Sequence, residues 1–196
     1  MEKLIQEFKN QIIESCKNPD FLHHEWYVKY HLDLVERISL ELCEIYKDAD
    51  KNIVLTLVWS HDYAKIISRE KEHDVSMFEK TKEKLLELGF EIDFINTILE
   101  YLDIFEKKME IDLNQAPIEV KIVSSADAAA HLVGPFWNIY YKEFNNKSIE
   151  ELMQDNRNKL KKDWERKIVL PEIKKAFEDR NRFVNEQAGN FPNKFL

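Results

Sequence analysis

Residues 53–67 read IVLTLVWSHDYAKII, the most apolar run of the chain, and contain one ionisable pair, His61-Asp62. Taken alone, the apolar part up to Trp59 is equally typical of a buried strand. We predict a helix instead, because apolar residues continue to Ile67 without Gly or Pro. This predicted helix includes the His61-Asp62 pair and places an imidazole and a carboxylate among apolar neighbours.

The rest of the chain has the same helical character. Only 3 Gly and 5 Pro occur in 196 residues, which is little turn punctuation for a sheet-rich protein. We predict an all-α fold: a single helical bundle as the core in residues 1–145, with a C-terminal helical extension, residues 146–196, packed on it. Apolar spacing predicts helices over about 4–13, 25–46, 53–67, 76–88, 92–105, 118–133, 148–167 and 171–187. Predicted capping boxes, Ser76 with Glu79 and Ser148 with Glu151, mark two of the helix starts, and Gly89 marks the end of the helix over 76–88. Asp50 is predicted to cap the helix that begins near residue 53.

Charge and cysteine content limit the classes of function. The net charge is −8, which argues against a protein that binds polyanions. Residues 157–182 nevertheless carry a local excess of five positive charges, which is either a solvated helix face or a patch that binds an anionic substrate or partner. Cys16 and Cys43 lie among apolar residues and are expected to be buried, reduced thiols. With no signal peptide and no membrane-length apolar run, we expect a cytoplasmic protein without a membrane partner.

Further ionisable side chains lie on apolar helix faces. Asp127 lies within ADAAA (126–130), and His31 shares a face with Leu34 and Ile38. Each residue alone is more often a satisfied core residue, a cap or an ion-pair partner than a metal ligand. Together with the His-Asp pair, however, they form a set of two imidazoles and two carboxylates, which suits one octahedral or near-octahedral divalent ion such as Mn, Fe, Mg, Ni or Co. Such a site performs hydrolysis, most naturally of a phosphate ester.

Three segments, YHLDLV at 30–35, SHDYAK at 60–65 and SAD at 125–127, resemble the HD-domain superfamily of metal-dependent phosphohydrolases. The resemblance covers about residues 21–134. It implies an α-helical bundle that hydrolyses phosphomonoesters, phosphodiesters or nucleotides. The metal ligands implied by the resemblance are His31, His61, Asp62 and Asp127.

The resemblance also suggests roles for neighbouring residues. Lys65, one turn after His61, would contact the substrate phosphate, and Asp62 would orient water; a surface position is the other reading of Lys65. His73 would approach the metal or a phosphate and is the first candidate for the general acid. His131, one turn after Asp127, would line the cavity and bind substrate.

The sequence departs from parts of the family pattern. Residues 98–103, ILEYLD, lack the histidines of two-metal members, so we expect a single metal ion. Ser125 stands where several members have Asp, which weakens a close analogy in substrate.

The function that these observations favour is a metal-dependent phosphohydrolase acting on a small phosphorylated substrate, with a nucleotide among the options. Two alternatives stay open: a non-catalytic, nucleotide-binding HD-fold protein, and a di-iron HD-like oxygenase. The acidic charge argues against nucleic acid as a partner, and the sequence leaves a homo-oligomer open.

Overall fold

Helix α7 (Ile118–Ala130) lies at the centre of the molecule. In the computed structural model, which describes residues 1–67 and 76–194, nearly all of α7 is buried. It packs against α2 (Asp33–Ile45), α3 (Lys51–Ser60) and α6 (Ile92–Glu106). Its residues 124–130 are Ser, Ala and Asp, and these small side chains let the surrounding helices approach closely.

The described residues contain helices and no strand, so the predicted all-α fold is confirmed. Helix α1 (Glu2–Ser15) buries Ile5, Phe8 and Ile12 against α3 and its neighbours. The remaining α-helices are α4 (Tyr63–Ile67), α5 (Ser76–Leu88), α8 (Phe136–Glu143), α9 (Ile149–Lys162) and α10 (Pro171–Gln187).

Two helices contain a π-helical turn, and both turns pack against α7. The first, Val28–Leu32, leads directly into α2, and the second, Asp163–Lys167, extends α9. Short π-helical turns occur frequently at functional sites, because the wider turn re-aims side chains. The first turn carries His31, and the second carries Asp163 and Lys167.

Several predicted helix boundaries are confirmed. The Asp50 carboxylate accepts hydrogen bonds from the N–H groups of Asn52 and Ile53, and Ser148 with Glu151 forms a capping box at the start of α9. The last helix covers Pro171–Gln187 as predicted. The predicted Ser76/Glu79 capping box lies outside the described part of the chain, because it depends on the side chain of Ser76.

Two boundary predictions are wrong, and one helix was not predicted. The expected continuous helix over 53–67 is two helices, since α3 ends at Ser60 and α4 begins at Tyr63. Helix α7 ends at Ala130 rather than near residue 133. Helix α8 was not predicted; the chain turns at Gly134, whose φ of 67° suits glycine, and restarts as a helix after Pro135.

The C-terminal residues pack on α7 through two buried serines. The hydroxyl of Ser124 donates to the carbonyl of Lys167, and the hydroxyl of Ser125 accepts from the N–H groups of Val169 and Leu170. The residue in which the chain departs from the family pattern, Ser125, therefore anchors the segment that follows the second π-helical turn. The division at residue 145 stays a prediction.

Cys16 and Cys43 are buried and free, as predicted. In the described part of the chain, no helix combines the length and the apolar character that crossing a bilayer requires.

Candidate metal centre

Two imidazoles from different helices face one carboxylate oxygen. His31 lies on the first π-helical turn, His61 follows the end of α3, and Asp127 lies in the last turn of α7. The Oδ1 atom of Asp127 is 3.4 Å from His31 Nε2 and 4.0 Å from His61 Nε2. All three side chains are buried, so the predicted ligands from three helices meet in the interior.

Asp62 joins this group because the helix is interrupted at the His61-Asp62 pair. In a continuous helix, consecutive side chains diverge by about 100° around the axis. The turn between α3 and α4 instead brings Asp62 Oδ2 to 3.5 Å from His61 Nε2. Tyr27 donates its hydroxyl proton to Asp62 Oδ2, and the Lys65 ammonium donates to Oδ1 at 2.7 Å, so both carboxylate oxygens are held in place.

The donor atoms of this group fit a divalent cation. His61 Nδ1 is 2.8 Å from the carbonyl of Val58, which places the ring proton on Nδ1 and a lone pair on Nε2. That Nε2 atom is buried and has no hydrogen-bond partner within residues 1–67 and 76–194. Burial lowers the pKa of His31 to about 3, so the imidazole of His31 is neutral. Neutral imidazole nitrogens beside ionised carboxylates are the ligands that first-row divalent metals prefer.

His131 adds a third imidazole to the group. Its Nδ1 is 3.0 Å from Asp163 Oδ2, and its Nε2 is 3.9 Å from Asp127 Oδ1. Its ring stacks on His31 with centroids 5.2 Å apart and an interplanar angle of 9°. A histidine that donates one ring N–H to a carboxylate presents its other nitrogen in a fixed orientation, as histidine ligands of metals do.

Two overlapping triads can therefore hold a metal. The first is His31, His61 and Asp62, and the second is His31, Asp127 and His131. Within each triad, one ligand atom per residue lies within 4.8 Å of the others. The four ligands predicted from the sequence are all included, with His131 as a fifth.

Ammonium groups keep the buried carboxylates ionised. Burial alone would raise the pKa of Asp127, but Lys167 and Lys108 hold it well below its usual range. Their Nζ atoms lie 4.0 and 3.9 Å from Asp127 Oδ2. Burial would likewise raise the pKa of Asp62, and the Lys65 ammonium holds it well below its usual range. Lys108 is itself buried enough that its pKa falls to about 8.

The group lies at one end of a cavity of about 370 Å³. This volume is within the range of small-molecule sites, at its lower end. Aromatic rings also line the cavity: Phe21, Trp26, Tyr27, Phe136, Tyr140 and Phe144. Among them lies the carboxylate of Glu143, which accepts hydrogen bonds from Trp26 Nε1 and His23 Nδ1.

The other predicted site residues have different positions. Lys65 lines the cavity, as does His131, whereas His73 lies outside the described residues.

A comparison of the sequence with models of protein families agrees with this geometry. Residues 28–131 match the family model described as the HD domain, which is more than half of the chain. The chain belongs to the HD-domain family. No curated protein and no solved structure matches it at a significant level.

The HD domain contains all four predicted ligands, and its last matched residue is His131. Two residues beyond it line the cavity, Lys159 of α9 and Lys167 of the second π-helical turn, and Asp163 of the same turn contacts both of them. The sequence analysis left a basic patch over residues 157–182 open but named none of these residues, and it missed Lys108 and Tyr27. One signal was present, since Lys159, Asp163 and Lys167 are spaced by four and so lie on one helix face.

Proposed function

We propose that the protein is a metal-dependent phosphohydrolase that acts on a phosphate ester or a nucleotide, using one divalent ion. The observation that carries the proposal is the convergence of His31, His61 and Asp127 from three elements around buried nitrogen lone pairs. Membership of the HD-domain family supports it, because metal-dependent hydrolysis is the chemistry common in that family.

The residues that would hold the ion are His31, His61, Asp62 and Asp127. When bound, a divalent ion supplies two effects there: it lowers the pKa of water and neutralises charge on phosphoryl oxygens. Asp62, fixed by Tyr27 and Lys65, would also orient water within the cavity.

Charge that develops on the phosphate would be stabilised by lysine. Lys65 Nζ lies at the cavity wall and is held beside the ligand Asp62 at 2.7 Å. A preorganised cation of this kind stabilises a transition state without reorganisation during the reaction. His131 would bind substrate through Nε2, since its Nδ1 contacts Asp163.

The leaving group would occupy the aromatic part of the cavity. Aromatic side chains offer stacking surfaces to a nucleobase, and the Glu143 carboxylate offers an acceptor for amino or ring N–H groups. These features support a nucleotide within the broader class of phosphate esters.

His73 remains the first candidate for the general acid, and it is also proposed to bind substrate. The role is testable with leaving groups of different acidity. We expect His73→Gln to reduce turnover of an alkyl phosphate strongly and that of p-nitrophenyl phosphate little, because p-nitrophenolate leaves without protonation. An equal loss on both substrates would remove His73 from this role.

The proposal is tested by metal analysis of the purified protein, followed by a panel of nucleotides and phosphate esters with Mn²⁺, Fe²⁺, Mg²⁺, Ni²⁺ and Co²⁺. We expect one metal ion per chain and phosphate release that is lost in His61→Ala and Asp127→Ala. Asp179→Asn is the matched control, since Asp179 is exposed and pairs with Arg182 on α10.

Each alternative function has its own outcome in the same experiment. Two iron ions per chain with oxygen consumption would identify an oxygenase and overturn the proposal. Tight nucleotide binding without hydrolysis of any panel member would identify a binding protein and overturn it as well.

A further inference from the structure

Three lysines from different elements approach the metal centre from the same side. Lys108 follows α6, Lys159 lies on α9, and Lys167 lies on the second π-helical turn. All three line the cavity, and their side chains are between 13% and 31% exposed. Two of them lie beyond the part of the chain that matches the HD domain.

Asp163 organises this side of the cavity. Its side chain is 1% exposed and contacts Lys167 Nζ at 2.6 Å, Lys159 Nζ at 3.6 Å and His131 Nδ1 at 3.0 Å. One buried carboxylate thus orders two ammonium groups and one imidazole. The hydroxyl of Ser125 on α7 accepts hydrogen bonds from Val169 and Leu170, which follow the π-helical turn that carries Asp163. These contacts fix the position of Asp163 relative to the core.

The lysines keep N–H donors for a ligand. Lys108 and Lys167 lie 3.9 and 4.0 Å from Asp127 Oδ2, which is beyond hydrogen-bond length. An ammonium group has three donors, and these distances show that the Asp127 carboxylate uses none of them. A metal ion bound by Asp127 would further reduce the negative charge that faces both lysines.

The charge of the described groups indicates the charge of the ligand. Among the described residues, four ammonium groups at the cavity face three carboxylates that line it and a fourth, that of Asp163, which contacts two of the lysines from behind the wall. A divalent ion then leaves an excess of two positive charges, which a phosphomonoester dianion neutralises and a phosphodiester monoanion does not. The groups counted are Lys65, Lys108, Lys159, Lys167, Asp62, Asp127, Glu143 and Asp163.

We propose that Lys108, Lys159 and Lys167, positioned by Asp163, form a subsite for the dianionic phosphate of a phosphomonoester. This inference rests on the proposed function and narrows its substrate class from phosphate esters in general to monoesters. Residues beyond the HD-domain match would therefore select the substrate together with Lys108, while other matched residues hold the metal.

Isothermal titration of the full chain loaded with Mn²⁺ tests the subsite without catalysis. The titration is run at about pH 7.5, where Lys108, with a pKa of about 8, is mostly protonated. The probes are inorganic phosphate, mostly a dianion at this pH, and dimethyl phosphate, a monoanionic diester. We expect phosphate to bind at least about tenfold more tightly than dimethyl phosphate, and Lys108→Met and Lys167→Met each to weaken phosphate binding about tenfold or more. Lys162→Met is the control, because Lys162 is an exposed lysine of the same helix as Lys159.

Folding is checked independently by the melting temperature and by Mn²⁺ affinity. If Lys167→Met does not fold, Lys108→Met still tests the subsite. Lys108 lies 3.9 Å from Asp127 and does not pair with the buried Asp163, so its replacement leaves the contacts of Asp163 in place. Folded, metal-binding variants that bind phosphate like wild type would overturn the subsite, as would equal affinity for the two probes.

Hydrolysis assays separate this inference from the proposed function. Cleavage of diesters that is insensitive to the lysine variants would overturn the subsite and leave the phosphohydrolase intact. Lysine-dependent phosphate binding without hydrolysis of any ester would overturn the phosphohydrolase and support the subsite.

Discussion

Replacing Asp127 with Asn tests whether the buried polar cluster is a metal site. The substitution keeps the size of the side chain and removes the charge of the carboxylate whose Oδ1 faces His31 at 3.4 Å and His61 at 4.0 Å. We expect the loss of one of the four predicted ligands to weaken metal affinity at least about 100-fold. Removing only a hydrogen-bond partner of a metal ligand typically weakens the affinity about 10- to 100-fold, and removing the ligand itself is expected to have a larger effect.

The size of the effect follows from linkage between binding and folding. With Mn²⁺ at about 100 times the wild-type Kd, binding stabilises the wild type by about 2.7 kcal/mol. For a chain of 196 residues, this raises Tm by about 5–11 °C. A 100-fold weaker site leaves about 0.4 kcal/mol, or a rise of about 1–2 °C.

The assay is thermal unfolding with and without Mn²⁺, and the decisive quantity is the metal-induced difference in Tm. The metal-free Tm is not decisive, because the variant also removes the negative charge near Lys108 and Lys167. Asp179→Asn should retain the full wild-type shift. A full shift in Asp127→Asn would refute the assignment of this carboxylate as a ligand.

Three further predictions concern the surrounding structure. Asp163→Asn should destabilise the metal-free protein by about 3–5 kcal/mol in urea unfolding, because it leaves buried cations without their carboxylate; a change below about 1 kcal/mol would contradict the buried network. Burial raises the pKa of Cys16 from 9.0 to about 12, so its alkylation at about pH 8 should be about a thousandfold slower in the folded protein than in urea; equal rates would show that the thiol is accessible. Ser148→Ala should lower the free energy of unfolding by about 1 kcal/mol through loss of the capping box, and an unchanged Tm would count against that box.

Local sequence signals were sufficient for most of the helices. Asp50 and Ser148 begin α3 and α9 because each satisfies free N–H groups of the first helical turn, which is a short-range interaction. The interruption at His61-Asp62 could not be predicted in this way. Nothing in the local pattern there differs from a continuing helix, and the contacts that hold Asp62 come from Tyr27 as well as from the nearby Lys65.

The candidate ligands were also predictable, because an ionisable residue on an apolar helix face needs a partner when the face is buried. His31, His61 and Asp127 could be named from that argument, although their distances could not. The contacts of His131 and of the basic segment could not be predicted, because they depend on which side chains of other helices lie opposite them.

By itself, the sequence determined the helical class, most helix boundaries and the residue types of the metal centre, since these depend on periodicity, capping and the cost of burying charge. Only the tertiary structure decided that Lys108 and Lys167 meet beside Asp127, that Lys159 lies beside Asp163, and that α8 brings Glu143 and aromatic rings to the same cavity. The physical reason is that these groups are far apart along the chain, and only the packing of separate helices, including that of the second π-helical turn against α7, brings their charges together.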